Sequence, residues 1–246
     1  MTSIPEIPEN IRVGDRTIPL IVRFRRKTRH LRLRLNYKNQ IAVSVPRHYS
    51  SRDVLSFIDR QYSWIEKKLA FIPETSSIND WLRKHPFLSA NGRRFPIHVE
   101  SVDCLEADYQ FEVNYTKLLL RISKNDTNFE KALLKLLRIF SKDVLAWRVN
   151  YHARRLNLKF ERLTVRDQAS RWGSCSNKKN ISLNWRLILI EPKLQDYIIL
   201  HELAHLTEMN HSRRFWNLLE SYDPLRQEHE SALKKITGTI MRVGRY

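Results

Sequence analysis

HELAHLTEMNH, residues 201–211, decides how this chain is read. Side chains four positions apart on an α-helix share a face, with Cβ atoms about 5–6 Å apart. His201 and His205 can therefore reach one ion, at about 2.0–2.1 Å if that ion is zinc. Glu202 sits beside that face, where a carboxylate can approach a coordinated water without being a ligand itself. The HExxH spacing thus offers two ligands and a general base. His211 lies further along. If the helix breaks near Met209–Asn210 and the chain turns back, His211 supplies a third nitrogen and leaves the fourth position to water. Three protein ligands with an open position is the catalytic pattern, whereas a structural zinc is closed by four.

The flanks of this segment read as helices. Pro192 suits the first turn of the helix that carries HELAH, and Tyr197 lies one turn ahead of His201 on the same face. Asn210 suits a left-handed stop. Ser212 then caps a helix holding Phe215, Trp216 and Leu219, ended by Pro224. Upstream, RLTVRDQ (162–168) reads as a strand, RWGSCSNKKN (171–180) as a loop or hairpin turn, and ISLNWRLIL (181–189) as a returning strand. Residues 181–187 either bind an extended substrate by strand addition or simply complete the core sheet. The longest helical pattern runs from Thr127 to about Leu156. Phe129, Leu133, Leu136, Leu137, Phe140, Val144, Trp147 and Tyr151 hold one face of it, read as core.

Strands dominate the N-terminal half. TIPLIVRF (17–24) reads as one. HLRLRLN (30–36) alternates strictly, with Leu31, Leu33 and Leu35 against Arg32 and Arg34. QIAVSVP (40–46) alternates again after the short link Tyr37–Asn39. The pattern predicts a small antiparallel sheet with one apolar and one cationic face. A single helix covers it, in which Val54, Leu55, Ile58, Tyr62, Ile65 and Leu69 recur, capped by Ser50 or Ser51 and ending near Pro73. Residues 73–92 read as a linker with one turn of helix, followed by strands at FPIHVE, YQFEVNY and LLLRIS. No repeat is visible. The fold class is α+β, divided into a basic β-rich region over 1–125 and a domain carrying the histidines over 126–246.

Composition narrows the class. The 246 residues carry a net charge of +18, with 44 Lys and Arg against 26 Asp and Glu. RFRRKTRHLRLR, Arg23 to Arg34, is the densest basic stretch and contains no acid. Such an excess favours phosphate backbones and other polyanions, with Arg23, Arg25, Arg26, Arg32 and Arg34 as the contact candidates. No apolar run is long enough to cross a bilayer, and MTSIPEIPEN has acids and prolines where a signal peptide needs a basic and then an apolar region. The expected location is cytoplasmic. Cys104 and Cys175 are too few for a disulfide framework; Cys175, in RWGSCS, is read either as a redox-sensitive or metal-touching thiol or as a small packed side chain.

Together, RWGSCS, ISLNWRL, HELAHL, NHSRRFW, the WIEKKL helix and the basic run RRKTRHLRLRL…IAVSVP resemble the YgjP-like metallopeptidase family. More distantly the chain is similar to SprT-like and other HExxH zinc proteases. The resemblance implies a zincin-like catalytic domain with an added N-terminal β-rich part. It also implies His201, His205 and His211 as ligands of one Zn2+ and Glu202 as the catalytic acid/base. Metzincins place Gly three residues after the second His, where this chain has Glu208, so the path to His211 must differ. The expected activity is zinc-dependent hydrolysis of peptide bonds. Two alternatives stand beside it: a nucleic-acid-associated basic module, including a protease recruited to DNA-bound proteins, and a zinc hydrolase of a non-peptide amide.

Overall fold

The computed structural model describes residues 6–70, 72, 75–103, 106–112 and 116–245. Cys104 and Pro73 lie outside them. The chain divides into a first compact unit, which runs to Thr75 and takes in Arg245, and a second that spans Ser76–Gly244.

In the first unit, β1 (Asn10–Val13) and β2 (Arg16–Arg25) form a hairpin across Gly14, whose φ of 56° needs no Cβ. β3 (Arg32–Leu35) and β4 (Ile41–Pro46) complete the sheet in the order β1-β2-β4-β3. The expected all-antiparallel pairing is corrected here, because β2 and β4 run parallel. β3 crosses to the outer position and β4 returns into the gap, so β4 is antiparallel to β3 and parallel to β2. The single covering helix also divides into α1 (Ser51–Arg60) and α2 (Tyr62–Ala70). Ser50 starts α1 with a capping box to Asp53. Ile18, Leu20, Ile41, Val43 and Val45 meet Val54, Ile58, Ile65 and Leu69 in one core.

The second unit starts with α3 (Ile78–Lys84) and a sheet of β5 (Phe87–Ala90), β6 (Arg93–Val102), β7 (Asp108–Phe111) and β8 (Leu118–Ser123). Residues 87–92 are therefore a strand and a hairpin turn rather than linker, with Asn91 and Gly92 both at positive φ. This sheet packs on α4 (Phe129–Arg155), where Phe140 meets the rings of Tyr109 and Phe111 at 5.0 and 6.3 Å. That packing explains why the units part at Thr75 rather than at the expected 125/126.

The two four-stranded sheets repeat one plan. The order β5-β6-β8-β7 again has one parallel pair, β6 with β8. Counterpart strands have equal lengths, and Asn10 and Phe87, Arg16 and Arg93, and Ile41 and Leu118 begin equivalent strands 77 residues apart. The repeat escapes a sequence reading because few identities survive, among them Arg16 and Arg93, Pro19 and Pro96, and Val22 and Val99. What persists is spacing and the inside–outside alternation.

A third sheet, β9 (Arg162–Arg166), β10 (Gly173–Cys175) and β11 (Asn180–Asn184), has the order β10-β11-β9, with β9 and β11 parallel. β11 stops at Asn184, and Trp185–Leu189 form a 3₁₀ helix instead of continuing the strand. The Asn184 side chain explains the stop: its Oδ1 accepts from the Arg186 amide, and its Nδ2 donates to the carbonyls of Gln168 and Arg171 at 2.9 Å. α5 (Pro192–Ala204), α6 (Arg213–Tyr222) and α7 (Arg226–Ile240) follow. α5 is buried nearly all round, from Leu194 to Ala204. Its Asp196 receives both forks of Arg148 at 2.6 and 2.5 Å and lies 3.0 Å from His152 Nε2. Burial opposes ionisation of Asp196, but Arg148 and His152 outweigh it and hold the carboxyl below its usual range. This tie turns α4 so that Val149 and His152 face inward. Trp147 and Tyr151, expected in the core, stand about half exposed and stack on each other at 5.7 Å. No helix among the described residues is long and apolar enough to cross a membrane.

Candidate metal centre

α5 unwinds at His205, earlier than the expected break near Met209–Asn210. The amides of Leu206, Thr207 and Glu208 bond back to Leu203 and Ala204, which tightens the chain into turns. Asn210 is not among the positive-φ residues, so the left-handed stop expected there does not form. No glycine is needed at position 208 because the return path avoids the left-handed region altogether. Ser212 accepts from the Phe215 amide and starts α6, as expected.

This path brings His211 back onto α5. One ring nitrogen from each of His201, His205 and His211 falls within 4.8 Å of the others. The Nε2 atoms of His201 and His211 stand 3.1 Å apart, close to the roughly 3.3 Å that two nitrogens span around a tetrahedral zinc with bonds of about 2.05 Å. His205 uses its Nδ1 to bond the Glu208 carbonyl at 3.0 Å, which leaves Nε2 free to face the other two rings. Burial, then His205 and His211, pushes His201 down to about 3. Burial likewise lowers His205, against the opposing bond to Glu208. Neutral imidazoles are the form in which His binds metals. The donor set, its convergence and its protonation all fit one divalent ion.

Two residues that the sequence reading had placed only as helix packing belong to this centre. Phe215, fully buried, lies under all three imidazoles at 5.0, 4.5 and 4.7 Å between ring centroids. Trp216 stacks on His211 at 5.5 Å. The signal was their place in the first turn of α6, directly after His211 and the Ser212 cap.

Glu202 is buried, and its Oε2 has no hydrogen-bond partner among the described residues. Burial pushes its carboxyl up to about 8, with Arg171 pulling the other way. Its close neighbour is Gly173. A Cβ there would come within 2.6 Å of Glu202 Oε1 and 2.7 Å of its Cγ, so the carboxylate fills the space that any other side chain would need. Cys175 stands outside the converging donors, and burial followed by Glu202 pushes its thiol up to about 11. Tyr197 is buried with its ring 6.2 Å from that of His201, and burial pushes it up to about 12.

The edge of the third sheet lies at this carboxylate. β11 is hydrogen-bonded on both sides, so the expected strand addition along residues 181–187 has no free edge there. β10 has one. The Asn184 amide bonds Trp172, and the Ser176 amide bonds Asn180. By alternation Ser174 also faces β11, whereas Gly173 and Cys175 turn their N–H and C=O outward. Across the same sheet, Arg162 and Arg166 of β9 and Arg171 line a groove of about 400 Å³ that reaches Ser174 of β10.

Residues 29–236 match the family model described as YgjP-like, metallopeptidase domain. The chain belongs to the YgjP-like family. Its activity class is therefore that of a metallopeptidase, and the family implies a divalent metal and peptide or protein substrates. Two solved metallopeptidase zymogens are similar over part of the chain. Abylysin of Pyrococcus abyssi is 23% identical, and the match covers 38% of this chain and 95% of that one with a TM-score of 0.34. Jannalysin of Methanocaldococcus jannaschii is 27% identical, with 38% and 96% covered and a TM-score of 0.34. No curated protein matches.

Proposed function

We propose that this YgjP-like protein is a zinc-dependent peptidase in which His201, His205 and His211 hold one Zn2+ and Glu202 is the general base. The supporting observation is the pairing of three converging imidazole nitrogens with a buried carboxylate that has an unpartnered oxygen. Bound zinc supplies a Lewis acid that polarises the scissile carbonyl and the attacking water. Glu202 takes the proton of that water and returns it to the leaving amine. Its buried setting raises its basicity, and the missing side chain at Gly173 lets it approach without distortion. Phe215 and Trp216 hold the imidazole rings in place and exclude water from their far side.

The substrate backbone pairs with the outward N–H and C=O groups of Gly173 and Cys175, adding a strand beside β10. The three guanidinium groups of the neighbouring groove favour acidic side chains near the scissile bond. We place the protein in the cytoplasm, where Cys175 stays reduced. Metal analysis of purified protein should find about one zinc per chain. Hydrolysis of an unfolded protein substrate should stop with chelator and return with added zinc. A zinc-loaded protein that leaves every peptide intact but cleaves a small non-peptide amide would overturn the peptidase assignment. A peptide library without preference for Asp or Glu beside the cut would remove the role given to the groove.

A further inference from the structure

The repeated sheets differ in the charge of their outward faces. In the second sheet, Glu100, Arg121 and Asp108 lie side by side across β6, β8 and β7. Arg121 binds both oxygens of Asp108, at 2.7 and 2.5 Å, so the row supplies its own counter-charges. The equivalent row of the first sheet is Arg23, Ser44 and Arg32 across β2, β4 and β3. Both acids of the pattern are replaced by arginine, and the central arginine by serine. Arg25 and Arg34 stand on the same face, and all four arginines are exposed. No described carboxylate pairs with any of the four.

The arrangement is a shallow trough. The central strand presents only the small Ala42, Ser44 and Pro46 beside the arginines. With strands about 4.8 Å apart and alternate residues about 7 Å apart along a strand, the walls stand roughly 10 Å from each other. Guanidinium forks match phosphate oxygens and cannot be neutralised by losing a proton. The face holds no ring on which a base could stack, since Phe24 alternates with Ile18, Leu20 and Val22 on the other side. We infer that the outward face of the first sheet, centred on Arg23, Arg25, Arg32 and Arg34, binds the phosphate backbone of a nucleic-acid duplex without reading its sequence. The adjoining Arg26, Lys27 and Arg29, all exposed, extend the same field.

The test uses the full chain and a fluorescent duplex of mixed sequence, with affinity measured across a salt series. Four phosphate contacts predict a slope of log K against log[salt] of about −4. The combined change Arg23→Glu, Ser44→Arg and Arg32→Asp copies the self-neutralised row into the first sheet. It should lower affinity at least tenfold and flatten the slope to about −1 to −2. Arg32→Ala with Arg34→Ala, on the exposed face of β3, is the second variant and should flatten the slope by about 2 if the first fails to fold. Absence of duplex binding at low salt, or parental affinity in both folded variants, overturns the inference. Tighter binding to an unpaired strand overturns the duplex assignment, and equal affinity for a polyglutamate peptide shows an acidic-protein site instead.

Discussion

In the first unit Arg23, Arg25, Arg32 and Arg34 stand on one sheet face, exposed and with no carboxylate partner among the described residues, whereas the Ser76–Gly244 unit takes several of its charges inside. Arg186 is completely buried, with Nη1 on Asp167 at 2.6 Å and Nε and Nη2 on the Val243 carbonyl. Asp196, Arg148 and His152 form a second inner cluster, and Glu202 is buried without a partner for Oε2. The net charge of +18 therefore says little about chemistry. Exposed charges are many and set a field that reaches into solvent, while a few desolvated charges pair inside and hold the fold.

Removing the desolvated charges one at a time sharpens this contrast. Glu202→Gln has the largest expected effect, a fall in hydrolysis of about 10²–10⁴-fold with zinc content unchanged. A near-parental rate would make that buried carboxylate structural. Asp196→Asn leaves the Arg148 guanidinium largely buried without its counter-charge and should cost about 3 kcal/mol in chemical denaturation. Arg25→Ala on the exposed sheet should stay within about 0.5 kcal/mol of the parent. If the two variants lose equal stability, the distinction between units fails. Gly173→Ala moves Glu202 and should lower kcat by roughly 10- to 100-fold while metal content and KM stay near parental values. Loss of zinc in that variant would instead place Gly173 in the metal scaffold.

The smallest signal is a change of slope with pH in the chelator-treated protein. The folded pKa of Glu202 is raised from 4.5 to about 8, so stability falls as pH rises between those values. His201 is lowered from 6.5 to about 3, so stability falls as pH drops between those values. Between about pH 4.5 and 6.5 these two slopes offset each other, and the lowered His205 tilts the balance so that stability still falls as pH drops below 6.5. From pH 6.5 to 7.5 the loss is at most about 1.4 kcal/mol. Glu202→Gln should abolish this alkaline limb and leave the acid limb. An unchanged alkaline limb would assign it to another group.

Local spacing made the centre legible in sequence. HELAH, the later His211, Ser212 as a cap and Pro192 as a first-turn residue all act within one or two helical turns, and the structure brings the three imidazoles together. Strand alternation was equally readable, down to the leucine and arginine faces of β3. Pairing was not. Whether β4 inserts beside β2 depends on which edge is open after β3 has crossed, and no residue in either strand encodes that. The same non-locality hid the repeat and the free edge of β10. Trp147 and Tyr151 were misplaced because Asp196, far along the chain, claims Arg148 and His152 and turns the helix. Gly173 was invisible as a spacer because its neighbour Glu202 is distant in sequence.

Arg186 and Asn184 carry a consequence for the order of assembly. Both wait for partners 57 residues further along, the Val243 carbonyl and the Met241 sulfur. Until residues 241–243 have left the ribosome, a fully buried guanidinium lacks its acceptor, and the Asn184 clamp on the loop that leads to Gly173 is incomplete. Closure of the Asn184 clamp ahead of Gly173 is thus tied to a segment 57 residues downstream, so that a cut between the two would loosen it.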